Sequence, residues 1–411
     1  MKRVPHLPLR LVPAAILLAA AGLFAAASPG SGLNGATFLE IPIGGRMVGM
    51  AEAFTAVADD PYAMAGNVAG ISRNRDLEIS FSHLEWFGDV NCEYLAFTRS
   101  FFKGFGGFDS ALGLSLQYLH VPDILSYDDW GAVKGKVQFS DYAVTGGYAQ
   151  KIGPFSAGLA LKYVNEDYLG RADGAATFNL GLLYSAHLPT FSLFKYDFIS
   201  RPVDFGFLLE NWSMGSTIGG FATPTLLKLG AAIRPVDQFL VAADVQLTPD
   251  KMVRLNTGCE YSLDNRLFFR FGYRFFGYAT DSYTMGIGGN IMIAGKLIKA
   301  DVSFAPASVL GNTFSFSLSM KYPGRISDED RRAADILYYK GIYYFTRNDL
   351  DKAVEMWTEA LKFDPEMDDA KLKIQQARTL EDLQGIEKTV EDKMKNGGAP
   401  GGQKQEPPPV N

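Results

Sequence analysis

The stretch Thr313–Lys321, TFSFSLSMK, decides how this chain is to be read. Phe314, Phe316, Leu318 and Met320 share one face of an extended segment, and Thr313, Ser315, Ser317 and Ser319 share the other. Side chains of a strand alternate between its two faces, so this is a strand with one apolar and one polar side. Two further stretches repeat the pattern. In LFFRFGYRF, Leu267, Phe269, Phe271, Tyr273 and Phe275 oppose Arg270, Gly272 and Arg274; in ATFNLGLLYS, Phe178, Leu180, Leu182 and Tyr184 oppose Thr177, Asn179, Gly181 and Ser185.

Working outward, fourteen such segments can be marked, at about 77–87, 90–101, 110–120, 137–150, 155–166, 175–187, 203–212, 225–234, 238–248, 253–262, 267–277, 283–294, 298–304 and 312–321. Their usual length is near ten residues, enough to cross a bilayer at a tilt, whereas strands of soluble sandwiches average five or six. An even count suits a closed bacterial barrel. With both termini on the periplasmic side, even-to-odd links should be short and odd-to-even links long. KIGP, PVDQ and DN are short as required; VPDILSYDDWGAVKGK, NEDYLGRADG and SMGSTIGGFATP are long; LPTFSLFKYDFISRP breaks the rule. Composition agrees: 30 Phe, 19 Tyr and 43 Gly coexist with a mean hydropathy of zero, as strands with one greasy and one polar face require. The expected fold is an all-β transmembrane barrel in the bacterial outer membrane, residues 77–322, with membrane lipid as its surroundings.

The chain opens with Lys2, Arg3 and Arg10, an apolar run Leu11–Ala27 and a small-residue Ala25-Ala26-Ala27 site, which reads as a signal peptide over 1–27. The net charge of −6 becomes more negative once these basic residues are removed, which argues against nucleic acid as a partner. Cys92 and Cys259 are too few for a disulfide framework. His83, His120 and His187 fall in different strands, with no metal-ligand spacing. GNIMIAGKL fails as a phosphate loop because Leu297 stands where Ser or Thr is needed, and GIGGN opens no helix. No Ser-His-Asp set can be placed. Neither an enzyme nor a cofactor is therefore expected.

Residues 28–76 form the segment before the strands. Met47, Met50, Phe54 and Val57 fall on one face of a helix that Asp59-Asp60-Pro61 would end. So short a helix is marginal alone, and a fourteen-stranded barrel has a lumen wider than its own side chains fill. A plug inside the lumen is the expectation. Centring the turn between the tenth and eleventh strands on Asn265 sets Glu260 opposite Arg270. It also turns Arg254, Asn256, Glu260, Arg270 and Arg274 inward, leaving Cys259 and Phe271 to the lipid. Arg46 and Glu52 are the natural counter-charges on the plug, while Asn67 and Gly70 suit a turn.

The run GATFLEIPIGGRMVGMAEAFTAVADDPYAMAGNVAGIS resembles the N-terminal signature of the PorV/PorQ family, relatives of the FadL-type long-chain fatty acid channels. The matching positions are Arg46, Met50, Ala53, Phe54, Ala56, Asp59, Asp60, Asn67, Ala69 and Gly70. The departures are Ala51-Glu52, where a pair of glycines is usual, and Val68, where proline is usual. The resemblance implies a FadL-like fourteen-stranded barrel over 35–322. It further implies either binding and transport of hydrophobic small molecules or a PorV-like part in protein secretion and surface assembly.

Beyond Tyr322-Pro323-Gly324 the pattern becomes helical. ADILYYKGIYYFTRNDLDKAVEMWTEALKFDPE is similar to a tetratricopeptide repeat at Leu337, Gly341, Tyr344, Ala353, Trp357, Ala360 and Pro365. A third amphipathic segment at about 367–394 would cover its exposed side, so 325–395 is expected to be a small helical domain, followed by a disordered tail, 396–411. Such a domain gives a third functional reading, a barrel presenting a periplasmic module to a protein partner.

Overall fold

The computed structural model describes residues 34–381, except 75, 102–107, 169, 188–190, 194–195, 199–201, 249–252, 277–281, 294–295, 307–310, 323–327, 365–366 and 368. The signal peptide and the 396–411 tail therefore lie outside the described residues. Two compact units divide the chain between Tyr322 and Pro323.

The first unit is a closed antiparallel barrel of fourteen strands. These are β1 (Leu77–Glu85), β2 (Asn91–Phe101), β3 (Asp109–Tyr127), β4 (Val133–Ile152), β5 (Phe155–Tyr168), β6 (Arg171–His187) and β7 (Pro202–Trp212), then β8 (Leu226–Val236), β9 (Phe239–Leu247), β10 (Val253–Leu263), β11 (Leu267–Phe275), β12 (Ser282–Ile293), β13 (Lys296–Pro306) and β14 (Asn312–Tyr322). β14 closes on β1 with Leu77 opposite Tyr322 and Glu85 opposite Phe314. The mouth holding Leu77 and Tyr322 is called the base here, and the opposite mouth the rim.

Alternation sorts every strand into a wall with two chemistries. Outward side chains such as Leu114 (57% exposed), Phe271 (45%) and Phe316 (42%) would meet water in a soluble protein, whereas Ser80, Ser315 and Ser317 on the inner face are sealed. A bilayer makes sense of this inversion, since an apolar outer band and a polar interior are what a membrane barrel needs. Among the described residues no helix is long and apolar enough to cross a membrane; the strands do the crossing. Cys92 on β2 and Cys259 on β10 are both free.

Two expectations need correction. First, VPDILSYDDWGAVKGK and NEDYLGRADG are not loops. β3 and β4 run 19 and 20 residues and leave only 128–132 between them, and β5 passes to β6 through 169–170. Val121, Ile124, Val133 and Val137 suit extended backbone, and pairing across each hairpin satisfies the backbone. Of the other two long links, SMGSTIGGFATP holds a small ribbon pairing Thr217–Ile218 with Phe221–Ala222; LPTFSLFKYDFISRP holds one pairing Phe191–Leu193 with Tyr196–Phe198.

Second, the plug is not one helix through 47–57. Helix α1 covers only Gly45–Gly49, and Ala51 and Glu52 then take left-handed backbone, with φ of 51° and 65°. Two successive left-handed residues cannot continue a right-handed helix. They fall where the resembled family carries its glycine pair. Short 3-10 turns follow at Pro61–Met64, capped by Asp60, and at Val68–Arg73, capped by Asn67.

The plug enters from the rim. Asn34 bridges to Ala222, and Glu166 near the end of β5 accepts from Ala36 N at 2.7 Å. The segment then crosses the lumen to reach Leu77 at the base. Asn34 and Tyr322 thus stand at opposite mouths of the barrel.

The second unit pairs helix α2 (Asp328–Thr346) with helix α3 (Leu350–Phe363); helical backbone also covers 369–381. Trp357 is fully buried and donates from its indole to Tyr338 O at 3.0 Å. A β-carbon at Gly341 would overlap that indole, so the glycine lets the ring lie against α2. Ala353, Ala370 and Ala377 share its core, with Tyr344 packed against them. Ala360 is buried too, while Leu337 is only half-buried and outside that core, where Tyr338 packs instead. Asp349 caps α3 and pairs with Lys352 Nζ at 2.8 Å, a hydrogen bond that holds its carboxyl below the usual range. Pro365 is outside the described residues.

Candidate functional site

Residues 34–74 fill the lumen, and their contacts with the wall are of two kinds. The first is close approach at glycines of the inner face. A β-carbon at Gly158 would come within 2.6 Å of Ala69 N; one at Gly181 would overlap Asn67 Oδ1; one at Gly206 would overlap the Thr55 carbonyl. Further round, Gly258 faces the Met50 carbonyl and Gly272 faces Ala51 N. Several are cross-strand partners, Gly158 with Gly181, Gly206 with Gly230 and Gly258 with Gly272, so they form patches where the wall is bare backbone. Gly70 plays the same part within the plug, lying against the Ala58 carbonyl.

Polar groups complete this contact. Asn67 Nδ2 donates to Thr55 O at 2.9 Å, Leu182 O at 3.1 Å and Phe207 O at 3.3 Å, while its Oδ1 accepts from Ala69 N at 3.2 Å. One side chain so joins two parts of the plug to β6 and β7. Asp244 on β9 accepts from Phe54 N at 3.0 Å and Thr55 N at 2.8 Å. These bonds satisfy buried backbone N–H groups that would otherwise be stranded away from water.

The second kind is ionic. Arg46 on α1 grips Glu260 with two nitrogens, at 2.8 and 3.1 Å, and also reaches Asp59 and, at 3.1 Å, Asp60. Glu260 in turn accepts from Arg270 Nε at 2.7 Å, and Arg270 Nη1 meets Asp301 at 2.6 Å. Glu260 and Arg270 stand directly opposite in register. The chain of charges thus runs from plug to β10, β11 and β13, each buried ion compensated by a neighbour, as a low-dielectric site requires. Nearer the rim, Arg274 meets Glu52 at 3.1 Å and Arg254 meets Glu40 at 3.7 Å. Met50 and Phe54 are buried at the centre of the plug's apolar core, with the Arg46 guanidinium 5.8 Å from the Phe54 ring centroid.

Sequence reasoning named Arg46, Glu52, Glu260, Arg270 and Arg274 but missed their partner Asp301, and it missed Asp244 and the Arg73–Asp204 pair (3.0 Å). Asp244 carried a signal: Leu240, Ala242, Asp244 and Gln246 share the buried face of β9. A carboxylate in such a row must face either lipid or lumen, and lipid is costly.

Between plug and wall at the rim lies a cavity of about 590 Å³. Phe38, Ile41, Pro42, Trp86, Phe87, Val90 and Leu119 supply its apolar lining; Glu40, Glu52, Asp141, Arg254 and Arg274 supply its charges.

Fold, lipid-facing surface and plugged polar lumen define the class, an outer-membrane-type β-barrel. Residues 19–163 match the model of an uncharacterised protein family, UPF0164. No curated protein matches the chain. Among solved structures, the chain is similar to the toluene transporter TbuX of Ralstonia pickettii (14% identity, 68% of this chain and 97% of that one, TM-score 0.46). It is also similar to a Pseudomonas aeruginosa FadL homologue (12%, 69% and 98%, 0.44) and to the Pseudomonas putida toluene transporter TodX (13%, 63% and 93%, 0.41).

Proposed function

We propose that the protein is an exported outer-membrane channel that takes hydrophobic small molecules into the cavity at its rim and passes them along a plugged lumen. The observation that carries this reading is the cavity's lining. Phe38, Ile41, Trp86, Phe87 and Leu119 offer an apolar wall, while Arg254 and Arg274 already hold Glu40 and Glu52 as counter-ions. A guest without charge therefore gains apolar contact and breaks neither of these pairs. The test is titration of the detergent-solubilised protein with an apolar naphthylamine dye. The wild type should bind it, and Trp86→Ala with Phe38→Ala should weaken binding about tenfold, roughly 1.4 kcal/mol. Failure of the wild type to bind dye, or equal binding by the double variant, removes the reading.

A second reading, a PorV-like component of protein secretion or surface assembly, is favoured by the opening motif from Arg46 to Gly70. In that reading the helical unit is a tetratricopeptide-like module that faces the periplasm and docks a periplasmic or secreted protein. Co-purification with secretion machinery at fixed stoichiometry would support it. Surface labelling of a Cys placed near residue 400 in intact cells would count against the periplasmic placement.

A further inference from the structure

The rim cavity holds a carboxylate that no described cation balances. Elsewhere in the lumen Glu210 meets Lys228 at 3.0 Å, and Glu260 meets Arg46 and Arg270. In the cavity lining itself, Glu40 and Glu52 are held by Arg254 and Arg274. Asp141, half-buried on β4, lines the same cavity. Among the described residues no Lys, Arg or His pairs with it, and the charges nearest it are the carboxylates of Glu166 and Asp167.

Register explains this crowding. Asp141 stands directly opposite Glu166 on β5, and Glu166 directly opposite Asp173 on β6. Like charges directly opposite one another on a sheet are unfavourable. Two of the row are occupied: Glu166 accepts from Ala36 N at 2.7 Å, and Asp173 accepts from the N–H groups of Gly174 and Gly219. Asp141 is the member that lines the cavity. On its other side it stands opposite Leu119, which is buried in one apolar cluster with Phe38. Negative charge and apolar surface thus adjoin within one cavity. Trp86 and Phe87, with ring centroids 4.9 Å apart, also line it, and ring faces attract cations and repel anions.

We propose that the cavity selects amphiphilic organic cations, alkyl or aryl amines, with the ammonium at Asp141 and the apolar part against Leu119 and Phe38. The proposal rests on the reading of this cavity as a site for hydrophobic guests and adds the sign of charge it prefers in them. An ammonium offsets the repulsion along the carboxylate row. A neutral guest leaves that repulsion in place, and an anionic one adds to it while competing with Glu40 and Glu52 for their arginines. A bare metal ion needs several oxygen ligands around it. No group of side chains that could supply them is present among the described residues, and Leu119 and Phe38 offer none.

The test is isothermal titration calorimetry of the full chain in a neutral maltoside detergent, at constant ionic strength. The probes share a hexyl chain and differ only in the head: hexylammonium, hexan-1-ol and hexanoate. Hexylammonium should bind about tenfold more tightly than hexan-1-ol, and hexanoate more weakly than either. Asp141→Asn should bring the ratio of the first two to about one, while Asp141→Glu, which keeps the charge, should keep most of it. Equal binding of hexylammonium and hexan-1-ol by the wild type, tighter binding of hexanoate, or an advantage that survives Asp141→Asn would each overturn the proposal. Loss of hexylammonium binding in millimolar calcium at unchanged ionic strength would do so too, by making this a metal site. The naphthylamine dye separates this inference from the reading it rests on. Dye binding with no preference among heads keeps the apolar site and removes the cation selectivity. Hexylammonium binding that depends on Asp141, without dye binding, keeps the selectivity and removes the site for uncharged guests. Binding of no probe removes both.

Discussion

From β5 to β9 the wall meets the plug mainly as bare backbone and hydrogen bonds, while from β10 to β13 it adds to the glycine contacts of Gly258 and Gly272 a connected chain of charges. Around Gly158, Gly181 and Gly206 the plug's backbone lies where a side chain would be, and Asn67 and Asp244 finish the contact by holding main-chain groups. Around Glu260 and Arg270 the contact depends on Arg46 being present and charged. The two halves therefore fail differently. A seat made by shape is spoiled by adding an atom and indifferent to salt. A seat made by ions is spoiled by removing one member, because the remaining charges are left buried without a partner.

Removing both seats at once should have the largest effect. A barrel lacking residues 40–70 should insert and conduct more ions in planar bilayers than the whole protein; unchanged conductance would mean that the plug does not close the lumen.

Arg46→Ala breaks only the ionic seat. It should cost about 3–5 kcal/mol in urea unfolding of the lipid-embedded protein, the usual cost of stranding buried charges. Arg46→Lys should recover little, since an ammonium cannot grip Glu260 with two nitrogens. A loss below about 1 kcal/mol would show that the ionic seat is no stronger than an exposed pair. Trp357→Ala serves as a reference outside both seats: it should destabilise the helical unit by about 3–5 kcal/mol and leave the heat-induced gel shift of the barrel unchanged.

Breaking the shape seat is expected to cost less per substitution. Gly206→Val should lower stability by about 1–3 kcal/mol, as overpacking does, by the same amount at low and high salt. A marked salt dependence would erase the distinction between the two seats. The smallest effect should be a gain. Ala51→Gly relieves a left-handed alanine and should stabilise by up to about 1 kcal/mol, read as a higher unfolding midpoint in urea. A loss would show that the Ala51 methyl packs usefully against β11.

The barrel was legible because its signal is local. Alternation over ten residues is a property of one segment, and the predicted 253–262 and 267–277 differ from β10 and β11 by no more than two residues at either end. The Glu260–Arg270 pairing followed from one turn centred on Asn265. The plug's path was not legible, because what stops α1 is its fit to distant walls: Met50 and Ala51 lie against Gly258 and Gly272. The glycines of the seats were visible as small inward residues, yet nothing near Gly206 in sequence names Thr55 as its neighbour. Hairpin height at β3–β4 was missed because Pro122, Asp128 and Asp129 read as loop, while the pairing of 121–127 with 133–139 overrode them.

Asn67, bonded at once to the carbonyls of Thr55, Leu182 and Phe207, bears on the order in which the molecule is made. Closing β1 on β14 joins residues 229 to 245 positions apart in the chain, a slow search for a free polypeptide. Residues 34–74 precede every strand, so they leave the ribosome and cross the inner compartment first. Each hairpin that closes around them must offer glycine backbone at the matching positions. A strand slipped by one residue would turn an apolar side chain toward Asn67 in place of Gly181. The finished contact between plug and wall therefore favours one register of these strands over its neighbours.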